Sequence, residues 1–311
     1  MTNIFVYMLT AMLRMGTPIA FTALGGVISE KSGVVNIGLE GIMLASAFGA
    51  VVGAHYSGSA WVGVLAAILL GMLIAAVHAV ISVTWGGNQS VSSMAIVLLA
   101  TGLSSVGLKA LFGQQGSSPR VNNLPNMPIL ADIPLIGKFL AGLSPFVYLA
   151  FVALILVHIL FKHTPLGLRI ITVGENPKAA ETAGISVHRI RYLCVLLSGV
   201  LGGLGGAFLS IGQMNLFQEG MVSGRGYLAL GAVTMGRWSP IGAFGCAMLF
   251  GLFDALQLYI QTIPNNPIPS EFIQMIPYVS SLIVLAATLY KNASTGVTAI
   301  GKPYTKYAQN R

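Results

Sequence analysis

Charge is what this sequence has least of. Its 311 residues hold eight Asp or Glu and 16 Lys or Arg, 8% in all, against roughly 25% in soluble domains. A water-soluble globule of this size cannot cover its surface with so few ionised groups. A disordered chain has the opposite composition, polar and poor in apolar residues. Between Glu40 and Lys109 no acidic or basic residue occurs, which leaves room for three spans of about 20 residues each. Cysteine is nearly absent. Cys194 and Cys246 fall in apolar runs, with neither metal-ligand spacing nor a disulfide framework. The GxxxxGK(S/T) phosphate loop is missing, so the chain cannot hydrolyse ATP in the P-loop manner by itself. No His/Cys/carboxylate cluster has metal spacing and no nucleophile–base motif stands out. No catalytic residue, metal or cofactor is therefore expected. The net charge is +8, but no basic cluster lies on a soluble segment large enough to fold, which argues against nucleic acid. The N-terminus is apolar first, with Arg14 after it, the reverse of a secretory signal peptide, so the segment is expected to be retained.

What is present is apolar: 55% hydrophobic residues and a mean hydropathy of +0.82. The expected fold is all-α, a polytopic membrane protein embedded in a lipid bilayer. Spans fall near 33–54, 60–84, 90–111, 144–161, 192–212, 239–262 and 272–290. The stretch 226–236 is too short to cross at 1.5 Å per residue and reads as a broken or re-entrant helix. The opening stretch 4–28, with Arg14 inside it, is one crossing or two pieces. The total is about nine, some broken or re-entrant.

Basic residues set the orientation. Lys162, Arg169, Lys178, Arg189 and Arg191 share the loop 162–191. Lys291, Lys302, Lys306 and Arg311 share the tail 291–311. Both segments read as cytoplasmic, and 112–143 as external. The chain 1–311 is expected to form a single transmembrane domain. Ala23–Val27 (ALGGV) returns as Ala229–Val233 (ALGAV), and Lys31 then aligns with Arg237. Chance similarity and two related halves, a common construction in transporters, both remain open.

Three segments stand out. In 162–191, Asn176 suits an N-cap, Pro177 the first helical turn and Gly184 the position after the helix end. A two-turn helix with a small face, Ala179, Ala180 and Ala183, is predicted there. It reads as a docking element, since small side chains admit a close partner; a plain connector is the alternative. The second segment is Ser32–Gly41. If it is helical, Asn36 and Glu40 share a face. A carboxylate inside a membrane is a functional candidate by default. The alternative is an acceptor for backbone N–H groups freed near glycines, a role glutamine would also fill. The third is a polar stripe, Asp254, Gln257 and Gln261, which lines a path or bonds a neighbouring helix. Asn36, Glu40, Gln89, Asp254 and Gln257 are the candidate path residues. Gly41, Ala45, Gly49 and Gly53, and later Gly199/Gly203 and Gly202/Gly206, read as helix-packing ridges.

GGVISEKSGVVNIGLEGIML (Gly25–Leu44) and VGENPKAAETAGI (Val173–Ile185) closely resemble the permease subunits of bacterial ABC importers for nucleosides. These belong to a larger group that includes ribose and branched-chain amino-acid permeases. LSGVLGGLGGAFLSIG (Leu197–Gly212) and GRGYLALGAVTMGRWSPIGA (Gly224–Ala243) extend the resemblance over nearly the whole chain. It implies a second, homologous permease and an extracytoplasmic substrate-binding lipoprotein. It also implies ATP-binding subunits docked through Gly174, Glu175, Asn176, Pro177, Ala179, Ala180, Ala183 and Gly184. The implied location is the bacterial inner membrane. It implies no cofactor and no bond chemistry. An ABC permease for simple sugars such as ribose, an ion-coupled secondary transporter and a membrane-embedded enzyme are the competing readings.

Overall fold

In the computed structural model the opening apolar stretch is one helix, α1 (Thr2–Lys31), which runs through Pro18. Proline has no N–H, so the Arg14 carbonyl, four residues back, loses its helical donor. The side-chain amide of Gln213 donates to it instead. The structure describes residues 2–124, 142–263, 269–291 and 297–304.

Further helices are α2 (Leu39–Ser57), α3 (Ala60–Ala79, extended by a π-helical turn over Val80–Thr84) and α4 (Gln89–Phe112). Next come α5 (Pro145–His163), α6 (Pro165–Glu175), α7 (Pro177–Thr182) and α8 (Val187–Ala207, extended as a π-helix over Phe208–Met214). The series ends with α9 (Arg225–Met235), α10 (Pro240–Gln261), α11 (Ser270–Gln274) and α12 (Ile276–Lys291). Local chemistry punctuates them. Proline opens α5, α6, α7 and α10, where its missing N–H costs nothing. Asn88 caps α4 by accepting the N–H groups of Ser90 and Val91 at 3.0 and 3.1 Å.

Among the described residues seven helices are long and apolar enough to cross a membrane. They are Val6–Lys31, Leu39–Ser57, Ala60–Thr84, Gln89–Phe112, Pro145–His163, Val187–Met214 and Pro240–Gln261. About nine are expected, and two stretches account for the difference among the described residues. The stretch 226–236 is the short α9. The stretch 272–290 is interrupted at Met275 between α11 and α12, where Pro277 cannot donate to the Ile273 carbonyl. The opening segment counts once. Most of the 112–143 connection, 125–141, lies outside the described residues, as do 292–296 and 305–311 of the 291–311 tail.

α8 sits at the centre, and its glycines explain why. A Cβ on Gly199 would lie 2.6 Å from the Gly71 carbonyl oxygen and one on Gly203 2.9 Å from that of Ala67, both on α3. Gly202 and Gly206 face Ile42 and Met43 on α2, and Gly205 faces Pro18 and Thr22 on α1. One helix thus meets three neighbours backbone to backbone, the packing that small residues allow in lipid. Outward faces are apolar. Leu65, Leu69 and Leu73 on α3 and Leu98 and Val106 on α4 are exposed. Exposed Trp61 and Trp85 stand at the two ends of α3 with its π turn, roughly 36 Å apart at helical rise. That matches the span between the two interfaces where tryptophan collects.

The two ALGGV-like segments touch. A Cβ on Gly26 would lie 2.9 Å from Val233 Cγ2. α1 and α9 each end in a short break before a long helix, α2 and α10 respectively. After α9 the break contains Arg237 and Trp238 at φ 54° and 53°, a left-handed pair that non-glycine residues rarely adopt. Trp238 Nε1 donates to Glu30 Oε2 at 2.6 Å, tying this break to the end of α1.

Candidate functional site

Residues 34–36 between α1 and α2 are not helical. Gly33, at φ +88°, ends the helical path. The expected helical pairing of Asn36 with Glu40 therefore does not form. Side chains from other helices take over the freed backbone instead. Gln89 Oε1 accepts the Val35 N–H at 2.8 Å. His78 Nε2 lies 3.0 Å from the Val35 carbonyl; a carbonyl only accepts, so this nitrogen carries the proton. His78 Nδ1 is 3.0 Å from Ser92 Oγ. Asn36 Nδ2 donates to Ser198 Oγ at 3.0 Å. The break is thus splinted from α3, α4 and α8. Three buried polar atoms in it, Asn36 Oδ1, Gln89 Nε2 and Ser93 Oγ, have no hydrogen-bond partner among the described residues.

α2 starts inside the level at which α1 ends, because Leu39 reaches Gly26, about one and a half turns before Lys31. Glu40, in its first turn, turns toward the start of α9. Oε1 accepts the Gly224 N–H at 2.8 Å and Oε2 accepts the Gly226 N–H at 2.7 Å. These are donors that a helix start leaves free, and a carboxylate there is favoured by the helix dipole. Glycine at 226 is required: a Cβ would lie 2.5 Å from Glu40 Cα. The carboxylate pins the beginnings of two helices together.

Asp254 on α10 is 9% exposed. Its Oδ2 lies 3.8 Å from Arg225 Nε, at the start of α9. Gln257 lines the same cavity, and the cavity lining does not include Gln261. The candidate path residues therefore fall into two groups. Asn36 and Gln89 belong to the splinted break, Asp254 and Gln257 to a cavity beside Arg225, and Glu40 holds the backbone N–H groups of the residues flanking Arg225. Arg225 is the functional-looking residue that sequence reading missed. It borders a stretch too short for a span, and its partner is remote in sequence.

At the Lys31 end, α7 has the predicted caps. Asn176 Oδ1 accepts the Ala179 N–H at 3.1 Å. Gly184, at φ +81°, follows the helix. Ile185 N donates to the Ala180 carbonyl and Gly184 N to that of Glu181, each at 3.0 Å, a Schellman closure. Glu175, Asn176, Ala179, Ala183 and Gly184 are exposed and Pro177 is half-buried. Ala180 is fully buried, within the core that holds Ile170, Val173 and Val187. Gly174 is buried too, packed on the Lys31 carbonyl. The exposed small surface is thus Ala179 with Ala183, one face of the predicted patch. Residues 297–304 cross this region as a strap. Ala299 N donates to the Gly174 carbonyl at 2.9 Å and Gly301 N to that of Gly33 at 3.0 Å. Thr298 Oγ1 donates to Glu175 Oε2 at 2.6 Å. Arg191, 1% exposed, donates from Nε to the Ser32 carbonyl at 3.2 Å and from Nη1 to the Lys302 carbonyl at 3.0 Å. Among the described residues no group of three or more His, Cys, Asp or Glu is placed to hold a metal ion.

Seven helices of membrane-spanning length among the described residues, helix starts that meet at a shared carboxylate, and a capped small helix at one end are features of a membrane transport subunit. The chain matches the family of branched-chain amino acid transport system permease components over residues 8–289, and it belongs to that family. It is 43% identical over 291 residues to the nucleoside ABC transporter permease protein NupC of Lactococcus lactis, covering 90% of this chain and 91% of that one. It is 39% identical over 309 residues to the guanosine ABC transporter permease protein NupQ of Bacillus subtilis, covering 95% of each. An ABC transporter solved in an inward-facing conformation shares the fold, with a TM-score of 0.53 at 17% identity, over 91% of this chain and 86% of that chain.

Proposed function

We infer that this chain is a permease subunit of an ATP-driven importer for nucleosides in the bacterial cytoplasmic membrane. The observation that carries the reading is the identity to NupC and NupQ along nine tenths or more of all three chains. The chain forms the translocation path with a second, homologous permease and receives its substrate from an extracytoplasmic binding lipoprotein. It changes no covalent bond; ATP is hydrolysed on separate subunits, which dock on α7. Segments 162–191 and 291–311 face the cytoplasm, where five and four basic residues respectively gather, and 112–143 faces outward. Asn36, Glu40, Gln89, Asp254 and Gln257 lie on or beside the path.

The test is uptake of labelled nucleosides by proteoliposomes holding the assembled complex. Uptake should need ATP and the ATP-binding subunit and should not follow an imposed sodium or proton gradient. Gradient-driven uptake by this chain alone would falsify the reading. Uptake of ribose with no uptake of any nucleoside would replace the substrate class and keep the importer.

A further inference from the structure

We propose that the face between α5 and α8 holds one anionic phospholipid, its phosphate between Arg169 and Arg189 and an acyl chain in the groove below them. Such a site is independent of the transported solute; only the leaflet, the cytoplasmic one, rests on the orientation given above. Two cavities form it. The first, about 320 Å³, lies where α6, the end of α7 and the start of α8 meet, and Arg169, Gly184, Ser186 and Arg189 line it. The second, about 340 Å³, runs between α5 and α8. Its lining is aliphatic throughout, with Leu156 and Leu160 on α5 and Leu197, Val200 and Leu204 on α8. Both helices pack on α1, and Ile28 of α1 lines the gap left between them.

One helix face joins the two cavities. Arg189, Leu193, Leu197, Val200 and Leu204 recur along α8 at intervals of three or four residues, which places them along one side of the helix. Arg189 stands in the first turn of α8 and Leu204 in the last, about 22 Å apart at helical rise. That is the depth of one leaflet in a bilayer of about 40–45 Å with its headgroups. Both arginines are exposed. So are Leu193, one turn after Arg189, and Leu168, beside Arg169 in sequence. The charged end of the site is at headgroup level, and its apolar end is in hydrocarbon, within the span Val187–Met214.

Chemistry selects the occupant. Guanidinium groups bind phosphate through paired N–H donors, and a basic pocket between spans on the cytoplasmic side suits an anionic headgroup. No carboxylate lines the first cavity. Glu181, the acidic residue nearest to Gly184 in sequence, accepts the Val187 N–H at 3.3 Å. A zwitterionic lipid would bring its own ammonium toward two guanidinium groups, which repel it. A free phosphate would fill the first cavity and leave the groove bare. The ATP-binding subunit is the rival occupant, since Ala183 borders the same cavity. An acidic segment of it would satisfy the arginines, but a water-soluble subunit does not send an apolar chain along α8 into the bilayer. An amphiphile fills both cavities at once.

The experiment uses the assembled transporter, purified in mild detergent and offered equal amounts of dioleoyl phosphatidylglycerol and dioleoyl phosphatidylcholine, with bound lipid counted by native mass spectrometry. The unsubstituted complex should favour phosphatidylglycerol by about tenfold, as two arginines near a membrane surface would give. A double variant, Arg169→Gln with Arg189→Gln, should hold one phosphatidylglycerol fewer per copy of this chain, with the ATP-binding subunit at native yield. Val200→Trp fills the groove, leaves both charges and should lose the same lipid. Excess glycerol 3-phosphate should not displace it, because a headgroup alone lacks the chain; full displacement would assign the pocket to a soluble phosphate and overturn the lipid site. An unchanged lipid count in the double variant, or in Val200→Trp, would overturn it as well. Loss of the ATP-binding subunit from the double variant with the lipid count intact would make the pocket a protein contact. If the double variant fails to assemble or sheds both, Val200→Trp decides by itself. None of these measurements involves nucleoside, so their failure leaves the transport reading untouched.

Discussion

Glu40 uses both carboxylate oxygens as acceptors, one for Gly224 and one for Gly226. A glutamine therefore does not replace it, as it would for a single backbone N–H. The amide keeps one acceptor and turns an NH₂ donor toward the other N–H. Glu40→Gln should destabilise by about 1–3 kcal/mol and Glu40→Leu by roughly twice that, since both donors are then left unpaired. Thermal unfolding of the purified complex should rank native above Gln above Leu; a Gln variant as stable as native would show that the double pairing does not hold the two helix starts together. Gln213 fills the carbonyl that Pro18 leaves bare. Gln213→Leu should cost about 1 kcal/mol, while the same change in a Pro18→Ala background, where a helical donor is available, should cost close to nothing. That double-mutant cycle isolates the pair; equal costs in both backgrounds would refute it.

At the scale of elements, α7 was legible because its signals are local: Asn176, Pro177 and Gly184 each act within a few residues of themselves. Which face of α7 points outward was not, because the choice is made by the core behind it, which takes Ala180. An arginine at 180 is consequently a folding defect and says nothing about docking. Ala179→Arg and Ala183→Arg keep the helix and block its exposed side. Both should insert normally and lose the ATP-binding subunit on co-purification, and retention at native yield would leave α7 a connector. The break before α2 was illegible for a similar reason. Residues 33–38 are as apolar as those that follow, and the groups that hold them unwound, Gln89 and His78, come from other helices. Arg225 escaped notice because only packing brings Asp254 to it.

For the whole molecule, composition alone separated membrane from water, and apolar run length located most spans; the count among the described residues differs where a stretch is short, as at 226–236, or broken beside a proline, as at Pro277. The strap 297–304 joins what the spans leave apart: the end of α6, the break after α1 and the head of α8. Replacing Arg191 with methionine leaves two carbonyls without their donors and should loosen all three at once. We expect a lowered thermal midpoint and weakened coupling of ATP hydrolysis to uptake, with a larger loss of coupling than of hydrolysis. An unchanged ratio of uptake to hydrolysis would mean that the strap is passive. The strap also has a bearing on the order of synthesis. The helix proposed to receive the ATP-binding subunit emerges from the ribosome long before residues 297–304, which clasp its base. A nascent chain can thread its spans into the bilayer while that platform is still unfinished, so recruitment of the motor becomes a late checkpoint that interrupted chains do not pass.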